Sequence, residues 1–312
     1  MSRYILRRLA GLILIVIAAT IVIFSILWFC PGDPAMIILG DGATEEQYAA
    51  MRVQLGIDKP FLVQLGTYLW SIFTRFDFGS SWTYGIPVLQ GLIERLPRTL
   101  IIGAFSMLFH VLIGVPVGIY AALHASKWQD SLVMGLSIFL VSAPGFWVAL
   151  LMVQLFSTQL GWVPAYGIDS WKCYILPIIS GALSGIAVNA RQMRSSMLEV
   201  IRSDFVTTAR AKGQNEQNIV WRHMLPNALM PIITTVSQGF AMIVAGSAVT
   251  ENIFSIPGIG QYLLTGVNNR DYPIVRACVI FLAAFTALMM LVCDLAYAFV
   301  DPRIKAQYQR KG

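Results

Sequence analysis

The sequence predicts an all-α membrane protein, a polytopic helical bundle of six transmembrane helices, and three observations carry that reading. Of 312 residues, 57% are apolar and only 12% charged, with a mean hydropathy of +0.68. Soluble globular proteins run at about 45 to 50% apolar and roughly 25% charged, so a soluble fold is excluded. Charge-poor runs recur at the length needed to cross ~30 Å of hydrocarbon. Finally, the Lys and Arg residues divide unevenly between the segments that separate those runs.

The first span covers residues 9–30, from Leu9 to Cys30, behind Arg3, Arg7 and Arg8 in the N-terminal segment 1–8. Its apolar run is too long for a secretory signal, and bulky Leu27, Trp28 and Phe29 stand where a lipoprotein signal needs small residues, so it reads as an uncleaved anchor. Later runs give spans at 98–123, 132–157, 174–190, 229–250 and 274–299. Gly114 with Gly118 and Gly181 with Gly185 are small-x-x-x-small pairs that let helices approach closely, and Pro116, Pro144 and Pro231 can bend theirs. Gln154, Asn189, Ser237 and Gln238 are the polar residues of the spans expected near a cavity between them.

With the N-terminus inside, the inner segments hold Arg3, Arg7, Arg8, Lys127, Arg191, Arg194, Arg202, Arg210, Lys212, Arg222, Arg303, Lys305, Arg310 and Lys311, the majority of the 22 basic residues. Arg52, Lys59, Arg75, Arg95, Lys172 and Arg270 fall outside. The net charge of +6 is therefore a topology signal, with both termini (1–8 and 300–312) cytoplasmic, and it does not indicate nucleic acid. Asp294, near the inner edge of the sixth span, is expected to pair with Arg7 or Arg8.

Two segments are too long for plain connections. The outer segment 31–97 carries a capping box, Thr44-Glu45-Glu46-Gln47, with Gly56 as a stop, and a second helical pattern over 60–74. It predicts a small helical cap, either packing over helix ends or docking a partner. The inner segment 191–228 predicts that the fourth span projects beyond the bilayer, breaks at Ser203-Asp204, and is followed by a short helix over 205–212. Gly213 then makes a left-handed stop, and a second helix capped by Asn215 ends near Pro226. A loop of this length with capped helices of its own points to a task. Phe205, Val206, Ile219, Val220 and Trp221 give it apolar surface.

Catalytic classes fail on pattern. No lysine stands in a phosphate-binding glycine loop, His110, His124 and His223 are isolated, and no serine nucleophile elbow occurs. The four cysteines lack metal spacing; Cys30 and Cys173 near the outer face read as free thiols in preference to a disulfide. An ion-coupled secondary transporter, the alternative from a different class, lacks an internal repeat and midplane carboxylates.

The run Phe205-Val206-Thr207-Thr208-Ala209-Arg210-Ala211-Lys212-Gly213, with Ile219 and Arg222-His223-Met224-Leu225-Pro226-Asn227-Ala228, resembles the EAA signature of ABC-importer permeases. Thr208 replaces a common Glu, as is usual in the peptide/nickel branch. That branch is also matched by Tyr4 to Arg8 with Pro31-Gly32-Asp33-Pro34, by Glu251 to Gly260, by Asn269 to Pro273 and by Asp301-Pro302-Arg303. The resemblance implies a type I importer half-channel in a bacterial inner membrane, paired with a second homologous permease. Two cytoplasmic ATPase subunits would carry ATP and Mg, which this chain does not bind, and an extracytoplasmic binding protein would deliver substrate. It also implies that the segment around Phe205, Thr208, Ala209, Arg210, Lys212, Gly213, Asn215 and Arg222 is the coupling region, with Arg210 and Lys212 facing acidic groups on an ATPase. Phe254, Pro257 and Gly258, in the outer loop 251–273, form a candidate extracytoplasmic gate. The branch carries di- and oligopeptides, glutathione and nickel chelates; peptide is placed ahead of nickel, because dispersed Met residues on apolar helices read as packing and not as ligands.

Overall fold

The computed structural model describes residues 2–40 and 42–300, and their side chains except at 2–9, 237, 238, 240–243, 245, 246 and 293–300. Helices dominate, and among the described residues there is no strand beyond one isolated bridge, Ser80 with Pro87. The described residues divide into two compact units, one within 2–99 and 257–291 and the other within 100–256 and 292–300.

The first unit begins with α1 (Ser2–Trp28), whose stretch Ala10–Trp28 is long and apolar enough to span a membrane. A cap follows. Asp33 accepts from the Ala35 backbone amide and starts α2 (Pro34–Leu39), a helix the sequence pattern did not reveal. In α3 (Glu45–Leu55) the capping box closes as expected: Gln47 N donates to Thr44 Oγ1 at 3.4 Å and Thr44 N to Gln47 Oε1 at 2.8 Å. Gly56 ends the helix at φ 68°. In α4 (Phe61–Arg75), Leu65 and Ile72 are buried, and Ile72 packs with Val16, Ile23, Val275 and Ile280 in this unit's core. The cap ends near residue 87 and not at 97, because α5 (Val88–Leu123) begins ten residues before the expected span and runs through Pro97. The loop at 251–273 contains another unforeseen helix, α12 (Ile259–Asn268), whose first amide, Ile259 N, donates to Thr99 Oγ1 at 2.9 Å. The last long helix is α13 (Tyr272–Val300).

The second unit holds the remainder of α5. The third span, expected to be continuous over 132–157, is broken into α6 (Trp128–Ser142) and α7 (Gly145–Met152), bent by 101°. Pro144 is the cause: it lacks the N–H that would continue the ladder and forces Ala143 to extended geometry, φ −72° and ψ 129°. A π-helical stretch, Val153–Gln159, carries α7 onward. Next, α8 (Ile175–Ile201) extends well beyond residue 190, as anticipated. The fifth expected span lies within α11 (Leu225–Ile253). Four helical stretches are long and apolar enough to cross a membrane, five if the bent pair counts as one, and that count covers described residues only.

Both glycine pairs are used. A Cβ on Gly114 would stand 2.9 Å from Asn189 Cβ and from the Ile186 carbonyl oxygen, and one on Gly118 2.5 Å from the Ala190 carbonyl oxygen. From the other side, a Cβ on Gly181 would meet Ser106 Oγ at 3.0 Å and one on Gly185 would fall inside the His110 ring. Helices α5 and α8 therefore close on each other through absent side chains. His110 packs at that seam, with its Nε2 3.3 Å from the Gly181 carbonyl oxygen. Cys30 and Cys173 are free thiols, the first exposed and the second buried. The expected pairing of Asp294 with Arg7 or Arg8, and the segment 301–312, lie outside the described residues.

Candidate functional site: the 203–224 hairpin

Beyond Ile201 the chain turns at Ser203 and forms α9 (Asp204–Ala211). Ser203 has N-cap geometry, φ −76° and ψ 150°, but its hydroxyl donates back to the Val200 carbonyl at 2.6 Å and leaves the first amides of α9 uncapped by a side chain. Gly213 takes φ +73°; its N donates to Arg210 O at 2.9 Å, and Gln214 N donates to Ala209 O at 3.3 Å. Asn215 then caps α10 (Glu216–Ile219) by accepting from Gln217 N at 3.1 Å. This second helix does not end near Pro226. It widens into a π-helical turn, Val220–Met224, in which Leu225 N reaches Val220 O, and continues directly into α11. The wider turn lets Pro226 sit at the start of α11, where the missing N–H breaks no α-helical ladder.

One face of the hairpin is fully packed. Val206, Ala209, Ile219, Val220 and Met224 are buried against Met193 and Met197 of the α8 extension, and Val115, Ile119 and Ala122 of α5 join the same cluster. Five of these side chains (Met193, Met197, Val206, Ile219, Met224) are completely enclosed, each worth about 1.5 to 3 kcal/mol of burial. Phe205 and Trp221 instead face outward, 44% and 62% exposed. Thr208 is exposed, its hydroxyl donating to Asp204 O at 2.8 Å. Lys212 and Arg222 are exposed with no ion-pair partner among the described residues, whereas Arg210 is engaged locally: its Nε lies 2.6 Å and its Nη2 3.3 Å from the two carboxylate oxygens of Glu216. Arg210 thus staples the two short helices, and the hydrogen bond it gives holds the Glu216 carboxyl below its ordinary pKa. The periodic sequence revealed the two helices; nothing in it marked residue 216 as the partner of residue 210.

The α8 stem is also tied to α6. Asp130 accepts from Arg194 Nε at 2.5 Å and Nη2 at 2.6 Å, and from Ser126 N at 3.1 Å. This bidentate pair, with Asp130 buried and Arg194 half-buried, was missed, because its members are 64 positions apart.

The expected pathway residues are dispersed. Asn189 is buried against Gly114, in the packing of α8 on α5, and Gln154 is exposed on the π-helical stretch. The side chains of Ser237 and Gln238 are outside the described residues. Phe254 ends α11 fully buried among Ile102, Ala149, Met152, Val153, Leu176 and Ile256, and its carbonyl accepts from Gly167 N at 3.2 Å. Pro257 offers its carbonyl to Arg98 Nη1 at 3.3 Å, and Gly258 precedes α12 in extended geometry.

Long apolar helices zipped by glycines, with a capped helix-turn-helix packed on the stem of one of them, fit a membrane transport permease, and the family match shows that class. The chain belongs to the family described as binding-protein-dependent transport system inner membrane component, whose model matches residues 114–306; the N-terminal model of the same systems matches residues 1–103. It is 38% identical to a putative peptide transport system permease protein of Brucella abortus, over 98% of this chain and 99% of that protein. To the glutathione transport system permease protein GsiC of Salmonella paratyphi A it is also 38% identical, again over 98% and 99%. Identity to the dipeptide transport system permease protein DppB of Alkalihalophilus pseudofirmus is 37%, over 98% of this chain and all of that one. An inward-facing structure of the MetNI methionine ABC transporter matches with a TM-score of 0.59 at 19% identity, covering 68% of this chain and 97% of that one, which shows the shared fold.

Proposed function

We propose that this chain is half of the translocation pathway of an ATP-driven importer of di- and oligopeptides, and that the hairpin of α9 and α10 is its coupling element. In this reading a second homologous permease completes the channel, two ATPase subunits seat the hairpin and bind ATP and Mg, and a binding protein delivers substrate on the opposite face. The hairpin then lies in the cytoplasm, with both chain termini, and the cap lies outside in the bacterial inner membrane.

The observation that carries the proposal is the hairpin's asymmetry. Its apolar face is locked to the stems of α5 and α8, while Phe205 and Trp221 are left outward for a partner to cover. Displacement of such a unit by a closing ATPase turns the attached helices with it. Because Arg210 is already paired with Glu216, seating depends on shape and on Phe205 and Trp221, with Lys212 and Arg222 as the free cations. Peptide as substrate is supported by the names of the three relatives above, and glutathione, itself a tripeptide, falls in the same class.

Gly213→Val tests the coupling role. No atom lies within 4 Å of an added Cβ, so the substitution acts only through the backbone, where φ +73° disfavours a β-branched residue. Reconstituted with its partners, the variant should assemble and hydrolyse ATP while substrate-stimulated uptake falls at least about tenfold, the effect of ~1.4 kcal/mol. Uptake coupled as in the wild type would refute the assignment. For topology, a cysteine at Ser203 should resist an impermeant maleimide in intact cells; labelling there would place the hairpin on the other face.

A further inference from the structure

Within the first unit, a cavity opens where α1 ends. Its first chamber, about 410 Å³, is lined by Phe24, Leu27 and Trp28 of α1 together with Arg52, Tyr272 and Arg276. A second chamber of about 590 Å³ shares Phe24 and Arg276 and adds Lys59 and Tyr68. The walls hold three cations, Arg52, Lys59 and Arg276, against a single carboxylate, Asp33.

Arg276 is the centre of this arrangement. Its guanidinium carbon lies 4.9 Å from the ring centroids of both Phe24 and Tyr68, and its Nε donates to the Tyr272 carbonyl at 3.3 Å. Among the described residues no carboxylate closes on it. Asp271 is already taken, accepting from Ser81 Oγ at 2.6 Å, Thr83 N at 3.0 Å and Ile274 N at 3.4 Å. Asp33 is paired with Arg52 at 2.6 Å. Each chamber adds a buried hydroxyl: that of Tyr272 in the first, beside the Cys30 thiol, and that of Tyr68 in the second, with no hydrogen-bond partner among the described residues. A buried orphan hydroxyl costs about 1 to 3 kcal/mol, and such hydroxyls beside a guanidinium that no carboxylate hydrogen-bonds are donors suited to an added acceptor. Arg276 lines both chambers, so an oxyanion held by its guanidinium has a tyrosine hydroxyl in the same chamber as a second donor, and charge-assisted hydrogen bonds of this kind are strong.

Depth in the molecule indicates the source of that oxyanion. Phe24, Leu27 and Trp28 form the last turns of the apolar stretch Ala10–Trp28, so the cavity lies at the level where that span leaves the hydrocarbon. Trp28 and Phe29 are 42% and 82% exposed at this end, as aromatic residues are at a bilayer interface, and Ile21, Val22 and Ile26 expose an apolar flank below it for acyl chains. We propose that the two chambers bind the phosphate headgroup of an anionic phospholipid, anchored by Arg276 with the Tyr68 and Tyr272 hydroxyls as further donors. With Arg52 closed on Asp33 and Glu45, Arg276 and Lys59 are the wall cations that select an anionic headgroup over a zwitterionic one, whose own ammonium would meet them.

The inference depends on the end of α1 and the cap, not on what the importer carries. To test it, the full chain in its purified membrane complex is exchanged into nanodiscs of phosphatidylcholine with graded phosphatidylglycerol, and retained lipid is measured by native mass spectrometry. Wild type should retain phosphatidylglycerol over phosphatidylcholine at least about tenfold, and Arg276→Gln should abolish that preference. The double variant Tyr68→Phe with Tyr272→Phe keeps the rings, and so the packing on Phe24 and Arg276, yet should lower retention about tenfold through lost hydrogen bonds to a charged group. Unchanged retention in the double-tyrosine variant overturns the proposal even if the arginine variant fails to assemble. Free inorganic phosphate is the other arm: if it binds through the same residues while phosphatidylglycerol shows no preference, the ligand is a soluble anion and the lipid assignment is wrong.

Discussion

The hairpin of α9 and α10 and the cap of α2 to α4 are segments of short helices between the long apolar ones, one in each compact unit, and they are built to opposite specifications. The hairpin sets three fully enclosed side chains, Val206, Ile219 and Met224, in one cluster with Met193 and Met197 of α8, and its principal charge pair is closed internally. The cap instead borders open chambers shared with α1 and α13, to whose walls it brings the unpartnered Tyr68 hydroxyl and Lys59 while α13 brings Arg276. Dense packing transmits displacement because interiors do not compress. A region with volume and spare donors is suited to receiving a ligand. The difference teaches that segments of similar helical content can be assigned different physical work from their packing alone.

If that contrast is right, deleting volume from the hairpin should be the most damaging change available. Ile219 has no exposed surface, and Ile219→Ala should cost about 2 to 5 kcal/mol of local stability through lost transfer energy and the cavity left behind. Limited proteolysis should cut the 203–224 segment of the variant many times faster than wild type, while the chain remains inserted, and uptake should vanish. Wild-type protease resistance would mean that the cluster does not hold the hairpin.

A smaller effect is expected from the cap. Thr44 and Gln47 satisfy each other's backbone amides at the start of α3, so Thr44→Ala should cost about 1 kcal/mol. Hydrogen exchange should quicken in residues 45–48 with little change in transport. A loss of uptake comparable to that of Ile219→Ala would erase the distinction between the two regions.

How far the sequence revealed each region follows from the range of the interactions that build it. Caps, stops and the hairpin's turn are local: Thr44 with Gln47, Gly56, Gly213 and Asn215 lie within a few positions of what they satisfy, and each occupies its expected place. The glycine pairs were legible as close-approach motifs, though only the structure shows that Gly114 meets Asn189 and Gly185 meets His110. The break at Pro144 was visible as a possible bend but not as one of 101°, since proline fixes its neighbour's geometry and tertiary packing fixes the angle. The beginning of α5 was missed because Pro97 read as a boundary, while the helix continues through it. Asp130 with Arg194, Asp271 with Ser81 and the setting of Arg276 were invisible, because their partners are brought together only by folding.

The smallest effect expected is electrostatic, and it sharpens the comparison by isolating the hairpin's one internal ion pair. Arg210 and Glu216 are both largely exposed, 43% and 62% at the side chain, so solvent screening limits the pair to about 0.2 to 1 kcal/mol. The hydrogen bond from Arg210 lowers the Glu216 pKa in the folded hairpin, with a smaller opposing contribution from desolvation. A carboxyl whose folded pKa is depressed contributes stability that is complete above its unfolded pKa and is lost as pH falls through the folded one. Protection of the hairpin amides should therefore be flat near neutral pH and decline slightly only in acid, below about pH 4.3, the ordinary value for Glu. In Glu216→Gln that acid-dependent step should disappear, and protection at neutral pH should already sit at the reduced level. High salt should produce the same reduction in wild type and none in the variant. A neutral-pH loss well above ~1 kcal/mol would show that the staple, and not the buried cluster around Ile219, is what keeps the hairpin in one piece.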